Sequence, residues 1–266
     1  MTAAAPPRAI NAELLGGVPG VHAAILSATE TGLVAGLHLL DRTGAPAPTG
    51  EWNVLCAEGD RVNAGEPILE ITGTAAEIGV AEDYLLGPLG FAGGVANRAR
   101  ALRDACPPGL SLACGGWKKL PAAMKPLLRA GLAVAGVTPR LVEGEFVYVS
   151  KNTVLLLGGI AGSVRAGLQL AHGPVAVQVT DVDQALLAVW TGAGIVMVDT
   201  GTLDVLAAVD AALRAEGVRE RTTIGFGGGV TGEALSAARA AGADVVDVGR
   251  AVLDAPLWDL RIEVTP

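Results

Sequence analysis

Cysteine, histidine, methionine and aromatic side chains are all scarce in this 266-residue chain: three Cys, three His, three Met, and 3% Phe, Trp and Tyr combined. Cys56, Cys106 and Cys114 have no metal-like spacing and are too few for a disulfide framework. Free thiols in a reducing, cytoplasmic setting are expected instead. His22, His38 and His172 are scattered, which argues against a zinc site. Positive charge is also in deficit: the net charge is −8. That argues against nucleic acid or an anionic membrane as a general partner, while leaving room for one local cationic cleft. No apolar run reaches the roughly 18 residues needed to span a bilayer. The Ala/Pro-rich start, Met1 to Ile10, lacks the basic end and apolar core of a secretory signal. Residues 1–11 are expected to be a disordered lead-in.

What the chain does have is small apolar residues in an α/β rhythm. From Val175 to Gly249 one unit repeats: a short apolar strand, a loop with a polar or glycine tip, and an amphipathic helix. The strands are Val175–Val179, Gly194–Asp199, Thr223–Gly229 and Asp244–Gly249. They are continuous β-rich runs, as strands buried on both faces should be. Helices such as Asp181–Trp190 and Gly232–Ala241 lie between them, so a parallel sheet with crossover helices is expected. Gln178, Asp199, Gly227-Gly228-Gly229 and Gly249-Arg250 all fall at strand C-termini, where barrel-type α/β folds build their sites.

The first hundred residues read differently. Asn53 to Gly73 has short strands punctuated by Glu58-Gly-Asp60 and Ala64-Gly-Glu-Pro67 turns, the pattern of a small β-sandwich or barrel. Biotinyl and lipoyl carriers use similar hairpins, but those need a lysine at the tip, and none is here. Ala75 to Ala105 is helical, and Gly87-Pro88 predicts a break or strong bend in it. Arg98, Arg100 and Arg103 on its second half read as a solvated face. Cys106-Pro-Pro-Gly109 reads as an interdomain linker. Leu110–Cys114 then begins the second domain and runs into Gly115-Gly-Trp-Lys-Lys119, a cationic loop before a helix predicted over Ala122–Ala130. Lys118 and Lys119 there are well placed for a phosphate. Further strands are predicted at Leu132–Gly136 and Phe146–Val149, and a strand or turn plus a helix over Val154–Ala171.

This order of pieces resembles the quinolinate phosphoribosyltransferase family, the type II phosphoribosyltransferases, over nearly the whole chain. The likeness rests on Glu58-Gly-Asp-Arg-Val-Asn-Ala-Gly65, Ile71-Thr-Gly-Thr-Ala75, Met197-Val-Asp199, Gly228-Gly229 and Val248-Gly249. It implies an N-terminal α/β-sandwich domain (12–108), an incomplete α/β barrel (109–250) and a C-terminal segment (251–266) returning to the first domain. A homodimer is implied too, in which the partner's N-terminal domain covers the barrel mouth. The family's chemistry joins phosphoribosyl diphosphate to a pyridine dicarboxylate with Mg²⁺, releasing pyrophosphate and CO₂. The protein's part in such a displacement is positioning and charge stabilisation.

Carried over by position, Lys118 would contact diphosphate or the substrate acid, Asp199 the ribose hydroxyls or Mg²⁺, and Arg140 an acidic group on the ring. Gly228, Gly229 and Gly249, with Arg250, would cradle the 5′-phosphate, where a side chain would block close approach. Lys151 and Asn152 fall in the segment matching the family's Lys-Asp-Asn-His strand end. The departures point one way. Trp117 stands for the arginine of the family's Arg-Lys-Thr motif and Lys119 for its threonine. Pro139 replaces the histidine before Arg140, Gln178 replaces a glutamate, and Asp83 replaces an arginine that reaches the neighbouring subunit. A dicarboxylate needs converging cations with fork geometry, and this chain has fewer of them, with a flat aromatic surface at Trp117.

The expectation is therefore a diverged phosphoribosyltransferase whose acceptor is an aromatic N-heterocycle, carboxylated and pyridine-like. Three alternatives stay open: the family's own decarboxylating reaction, a phosphosugar- or nucleotide-binding homologue with little transferase activity, and another barrel enzyme for a phosphorylated substrate.

Overall fold

The computed structural model describes residues 10–42 and 51–265. The lead-in expected over residues 1–11 falls mostly outside them. Its last two positions, Ile10 and Asn11, instead open helix α1 (Ile10–Leu15), and Asn11 Nδ2 donates to Asp83 Oδ1 at 3.0 Å. Two compact units are interleaved in sequence. The first holds the chain up to Ala99, Leu120–Ala135 and the segment from Ala255 onward; the second holds Arg100–Lys119 and Gly136–Asp254. The chain thus passes between units four times, where the sequence suggested two crossings, one at the Cys106–Gly109 linker and one at the return of residues 251–266.

The first unit is built on β1 (His22–Ala28), β2 (Gly32–Leu33), β3 (Glu51–Val54), β4 (Arg61–Val62) and β5 (Pro67–Gly73). A four-stranded antiparallel sheet runs in the order C-terminal strand (Leu260–Thr265), β1, β5, β3. The acidic turn residues order the loops beside it: Glu58 accepts the Gly36 and Leu37 amides at 2.6 and 3.0 Å, and Asp60 accepts the Ala57 amide at 2.8 Å.

Helix α2 (Ala75–Asp104) runs without interruption through Pro88, so of the break or strong bend expected at Gly87-Pro88 the break does not occur. Proline inside a helix costs about 3 kcal/mol. Ile78, Leu85 and Leu89 are buried with Leu26, Leu69 and Ile71 of the sheet, at roughly 1.5–3 kcal/mol per large side chain, so packing outweighs the lost hydrogen bond. Helix α3 (Lys125–Ala135) also corrects the sequence reading, which placed a strand at Leu132. Leu128, Leu132 and Ala135 recur at helical spacing and are buried. A side chain at Gly131 would lie 2.5 Å from the Ala92 carbonyl oxygen, so the glycine lets α3 approach α2 closely. At the other end of the chain, Trp258 is 3% exposed and its Nε1 donates to the Glu30 carbonyl at 3.0 Å. It fills a slot lined by glycines: a Cβ on Gly93 would fall 2.5 Å from Trp258 Cε3, and one on Gly90 2.9 Å from its carbonyl oxygen.

The second unit contains β6 (Ser111–Ala113), β7 (Val147–Val149), β8 (Val175–Val179), β9 (Ile195–Val198), β10 (Thr223–Phe226) and β11 (Val245–Asp247). They form one parallel sheet in the order β6-β11-β10-β9-β8-β7. All four residues of β9 are buried, as its Ile-Val-Met-Val run predicts. The connecting helices are α4 (Lys151–Leu156), α5 (Ile160–Gln169), α6 (Val182–Thr191), α7 (Leu203–Ala215), α8 (Leu235–Ala240) and α9 (Gly249–Leu253). Among the described residues the pairing does not return from β7 to β6. Yet Ala113 of β6 and Tyr148 of β7 line one cavity with Met197 of β9, so the sheet curls as an incomplete α/β barrel. Its strand N-termini carry a charged clamp. Arg219 pairs with Asp210 at 2.6 Å and Asp244 at 2.9 Å, and Asp244 Oδ2 accepts the Ile224 amide at 2.8 Å. No described helix is long and apolar enough to cross a membrane.

Candidate active site

The opposite, C-terminal ends of these strands bring the polar residues together. Gln178 ends on Asp199: its Nε2 donates to Asp199 Oδ2 at 2.7 Å, while its Oε1 accepts the Lys151 amide at 3.0 Å. One side chain thus links β8, the end of β9 and the start of α4. Burial pushes the Asp199 carboxyl above the usual carboxylate range and the nearby Asp247 adds to this, against the partial opposition of Lys118, Lys151 and Lys119.

The glycine loop after β10 lies beside this pair. The Gly227 amide donates to the Val198 carbonyl at 3.0 Å, and the Gly227 carbonyl accepts the Gly201 amide at 2.8 Å. Gly228 and Gly229 have φ of +105° and +87°, the region open to glycine. They are not equivalent. A Cβ on Gly228 would fall 2.9 Å from Gly201 Cα, whereas one on Gly229 meets nothing within 4 Å. Gly228→Ala is therefore expected to cost about 2–3 kcal/mol, and Gly229→Ala only about 1 kcal/mol from its dihedral alone. Urea denaturation of the two variants would check this; equal losses would contradict it.

Next to the loop is a cavity of about 140 Å³ lined by Trp117, Lys118, Pro139, Arg140, Phe146, Tyr148, Met197 and Asp247, among others. The Arg140 guanidinium carbon lies over the Phe146 ring, 4.5 Å from its centroid, a cation–π contact that fixes the arginine's plane. The Tyr148 phenol is pushed up to about 12 by burial first, then by Asp199 and Asp247, so it stays a neutral donor at physiological pH. Burial likewise pushes the Cys114 thiol up to about 11, leaving it unsuited to act as a nucleophile.

Of the residues picked out in the sequence, the structure sets Trp117, Lys118 and Arg140 on the cavity. It joins Gln178 to Asp199 and places the charges of Lys118, Lys119 and Lys151 around Asp199. Asn152 is exposed on α4 and has no place on the cavity. Arg250 is also exposed and is engaged by Asp254 one helical turn on, at 3.1 Å. The Gly249 amide, expected to face a phosphate, donates to Asp247 Oδ1 at 2.9 Å. Among the cavity residues that the sequence did not single out are Asp247, Phe146 and Tyr148. A strand-end position, the signal that picked out Asp199, was there for Asp247 as well.

The family model for the N-terminal domain of quinolinate phosphoribosyl transferase matches residues 12–92, and the model for its C-terminal domain matches residues 95–263. The chain belongs to the quinolinate phosphoribosyltransferase family. Its chemistry is phosphoribosyl transfer, which makes it an enzyme of the glycosyltransferase class. Nicotinate-nucleotide pyrophosphorylase (carboxylating) of Rattus norvegicus is 26% identical over 245 residues, covering 91% of this chain and 81% of that one. The probable enzyme of the same name from Methanothermobacter thermautotrophicus is 24% identical over 249 residues, covering 88% and 85%. Among solved structures, the nicotinate-nucleotide pyrophosphorylase from Francisella tularensis superposes with a TM-score of 0.80 at 20% identity, covering 96% of this chain and 90% of that one. A NadC deletion mutant in a cubic space group superposes at 0.81, also at 20% identity, covering 96% and 89%. Two of the positions where this quinolinate phosphoribosyltransferase relative departs from the family's motifs, Trp117 and Pro139, line the same cavity.

Proposed function

We propose that the protein transfers phosphoribose from phosphoribosyl diphosphate to the ring nitrogen of a flat, carboxylated N-heteroaromatic acceptor, releasing pyrophosphate. The observation that carries this reading is the adjacency of two features: the Gln178–Asp199 pair at strand ends and an aromatic-lined cavity of about 140 Å³. A dry cavity of roughly 150 Å³ holds a benzene ring, so one aromatic ring is the fitting occupant. Trp117, Phe146 and Tyr148 offer it stacking faces, and Arg140 and Lys118 offer a carboxylate its partners. Asp199 would hold the ribose hydroxyls, while Lys118 and Lys151 would face the diphosphate. Such groups act by holding the ring nitrogen in line with the ribose carbon and by balancing charge as pyrophosphate departs.

Asp199 also fits Mg²⁺. Its Oδ2 is taken by Gln178, its second oxygen lies toward Gly227, and a cation would relieve a carboxylate already disfavoured by burial and by Asp247. Among the described residues no group of three His, Cys, Asp or Glu could enclose a metal. One carboxylate completed by diphosphate oxygens and water is an ordinary Mg²⁺ arrangement. When bound there, the ion would neutralise the diphosphate.

The test is a thermal shift with phosphoribosyl diphosphate, with and without Mg²⁺, followed by a pyrophosphate-release assay over pyridine mono- and dicarboxylates. At a hundredfold excess over Kd the melting temperature should rise by about 5–10 °C. No shift at saturation overturns the transfer reading. A shift without pyrophosphate release from any acceptor would favour a binding protein instead, a reading that the neutral Gln178 supports.

A further inference from the structure

The cavity holds one acidic residue that the proposed reaction does not use. Asp247 sits at the end of β11 and lines the cavity. Its Oδ1 accepts two backbone amides, from Gly115 and Gly249, each at 2.9 Å. Those amides belong to the turns that carry Trp117-Lys118 and Arg250, so the aspartate's position is set by backbone on two sides. Because both bonds converge on the same oxygen, Oδ2 keeps the residue's remaining acceptor capacity.

The charges of the lining then matter. Arg140 and Lys118 are its cations and Asp247 its carboxylate, which leaves a net of one positive charge for an acceptor to balance. Lys118 is shared further, since it also acts on Asp199. A ring with two adjacent carboxylates would place its second anion against Asp247 with no cation left for it, and like charges in a partly desolvated site repel strongly. A ring that replaces the second carboxylate with an N–H donor would turn the same residue into a partner, through a charge-assisted hydrogen bond. The surrounding aromatic surfaces do not distinguish the two rings.

We infer that Asp247 is a specificity-determining residue, selecting an N-heteroaromatic acceptor with one carboxylate and one hydrogen-bond-donating substituent over the corresponding dicarboxylate. This rests on the transfer reading above for the word acceptor, but the selection itself can be read by binding alone.

The experiment is calorimetric titration of the full-length protein with two rings, with phosphoribosyl diphosphate and Mg²⁺ left out so that no turnover occurs and added only for the separate pyrophosphate assay. One is quinolinate; the other is its analogue with an amino group in place of the carboxylate beside the ring nitrogen. The wild-type protein should bind the amino analogue about ten- to a hundredfold more tightly. Asp247→Asn keeps an oxygen for the Gly115 and Gly249 amides while removing the charge, and should erase or reverse that preference. A wild-type preference for quinolinate overturns the inference, as does failure to bind either ring. An equal loss of both ligands in Asp247→Asn would show a purely structural role and also overturn it. The wild-type comparison needs no variant, so a poorly folding Asp247→Asn leaves the inference exposed to refutation. Pyrophosphate release is measured separately on the same samples: its absence with the predicted preference intact would sink the transfer reading and leave the charge selection standing.

Discussion

Asp199→Asn is expected to lower kcat/KM for pyrophosphate release by about 10²–10³-fold with the fold intact. The substitution is close to isosteric, and the asparagine oxygen can still accept from Gln178 Nε2, the bond seen at 2.7 Å. What disappears is a negative charge surrounded by Lys118, Lys151 and Lys119. Those lysines would then bind the diphosphate with no carboxylate to hold the ribose or Mg²⁺ beside it. The raised carboxyl of Asp199 adds a second readout. Because it takes up its proton above the usual carboxylate range, wild-type activity should begin to fall at a higher pH than for an ordinary aspartate. That acid limb should vanish in Asp199→Asn. Melting temperature and pH–rate profiles of the two proteins check both parts, and a loss under tenfold with an unchanged acid limb would remove Asp199 from the reaction.

The largest effect on stability is expected at Trp258. Trp258→Ala should cost about 3–5 kcal/mol, the range for emptying a buried aromatic site. The indole is 3% exposed and loses a hydrogen bond to Glu30 as well. The slot cannot close easily, because two of its walls are Gly32 and Gly93, which have no side chains to move inward. Urea midpoints give the measurement; a cost below about 1 kcal/mol would mean that the slot collapses. Gly93→Leu should destabilise through the reverse fault, since even its Cβ would lie 2.5 Å from the ring.

The barrel half of the fold was legible because its central strands, Val175–Val179, Ile195–Val198 and Thr223–Phe226, are short apolar-rich runs buried on both faces. Of the interleaving of the two units, the return of the C-terminal segment was expected, but the placing of Leu120–Ala135 with the first unit was not. Local signals around Pro88 and Leu132 report intrinsic preference, whereas burial decided both: one helix continues through the proline, and Leu132 joins a helical stripe with Leu128 and Ala135.

At the site, glycine tips and Asp199 could be found from their strand-end positions. The roles of the aspartates at the two ends of β11 could not. Asp244 and Asp247 look alike in Asp244-Val-Val-Asp247, yet one belongs to the Arg219 clamp and the other to the cavity. Arg250 follows a strand-end glycine just as a phosphate ligand would, and its pairing with Asp254 on exposed α9 carries no sequence signal of its own. Phe146 and Tyr148 carry no polar-tip signal. Only the curl of the sheet makes its edge strand a wall of the cavity.

The C-terminal strand has a consequence for how the molecule is made. It pairs with β1 from Ala23 to Ala28, so the first strand of the chain waits for the last. During vectorial synthesis every strand of the parallel sheet leaves the ribosome before Leu260 does. Through that interval β1 presents an unpaired edge and the glycine face of α2 lacks its indole. Unpaired edges and open apolar faces are what chaperones bind and what seeds aggregation. A nascent chain stalled before Trp258 would already contain the residues around Asp199 and still be unable to finish the sheet with which it began.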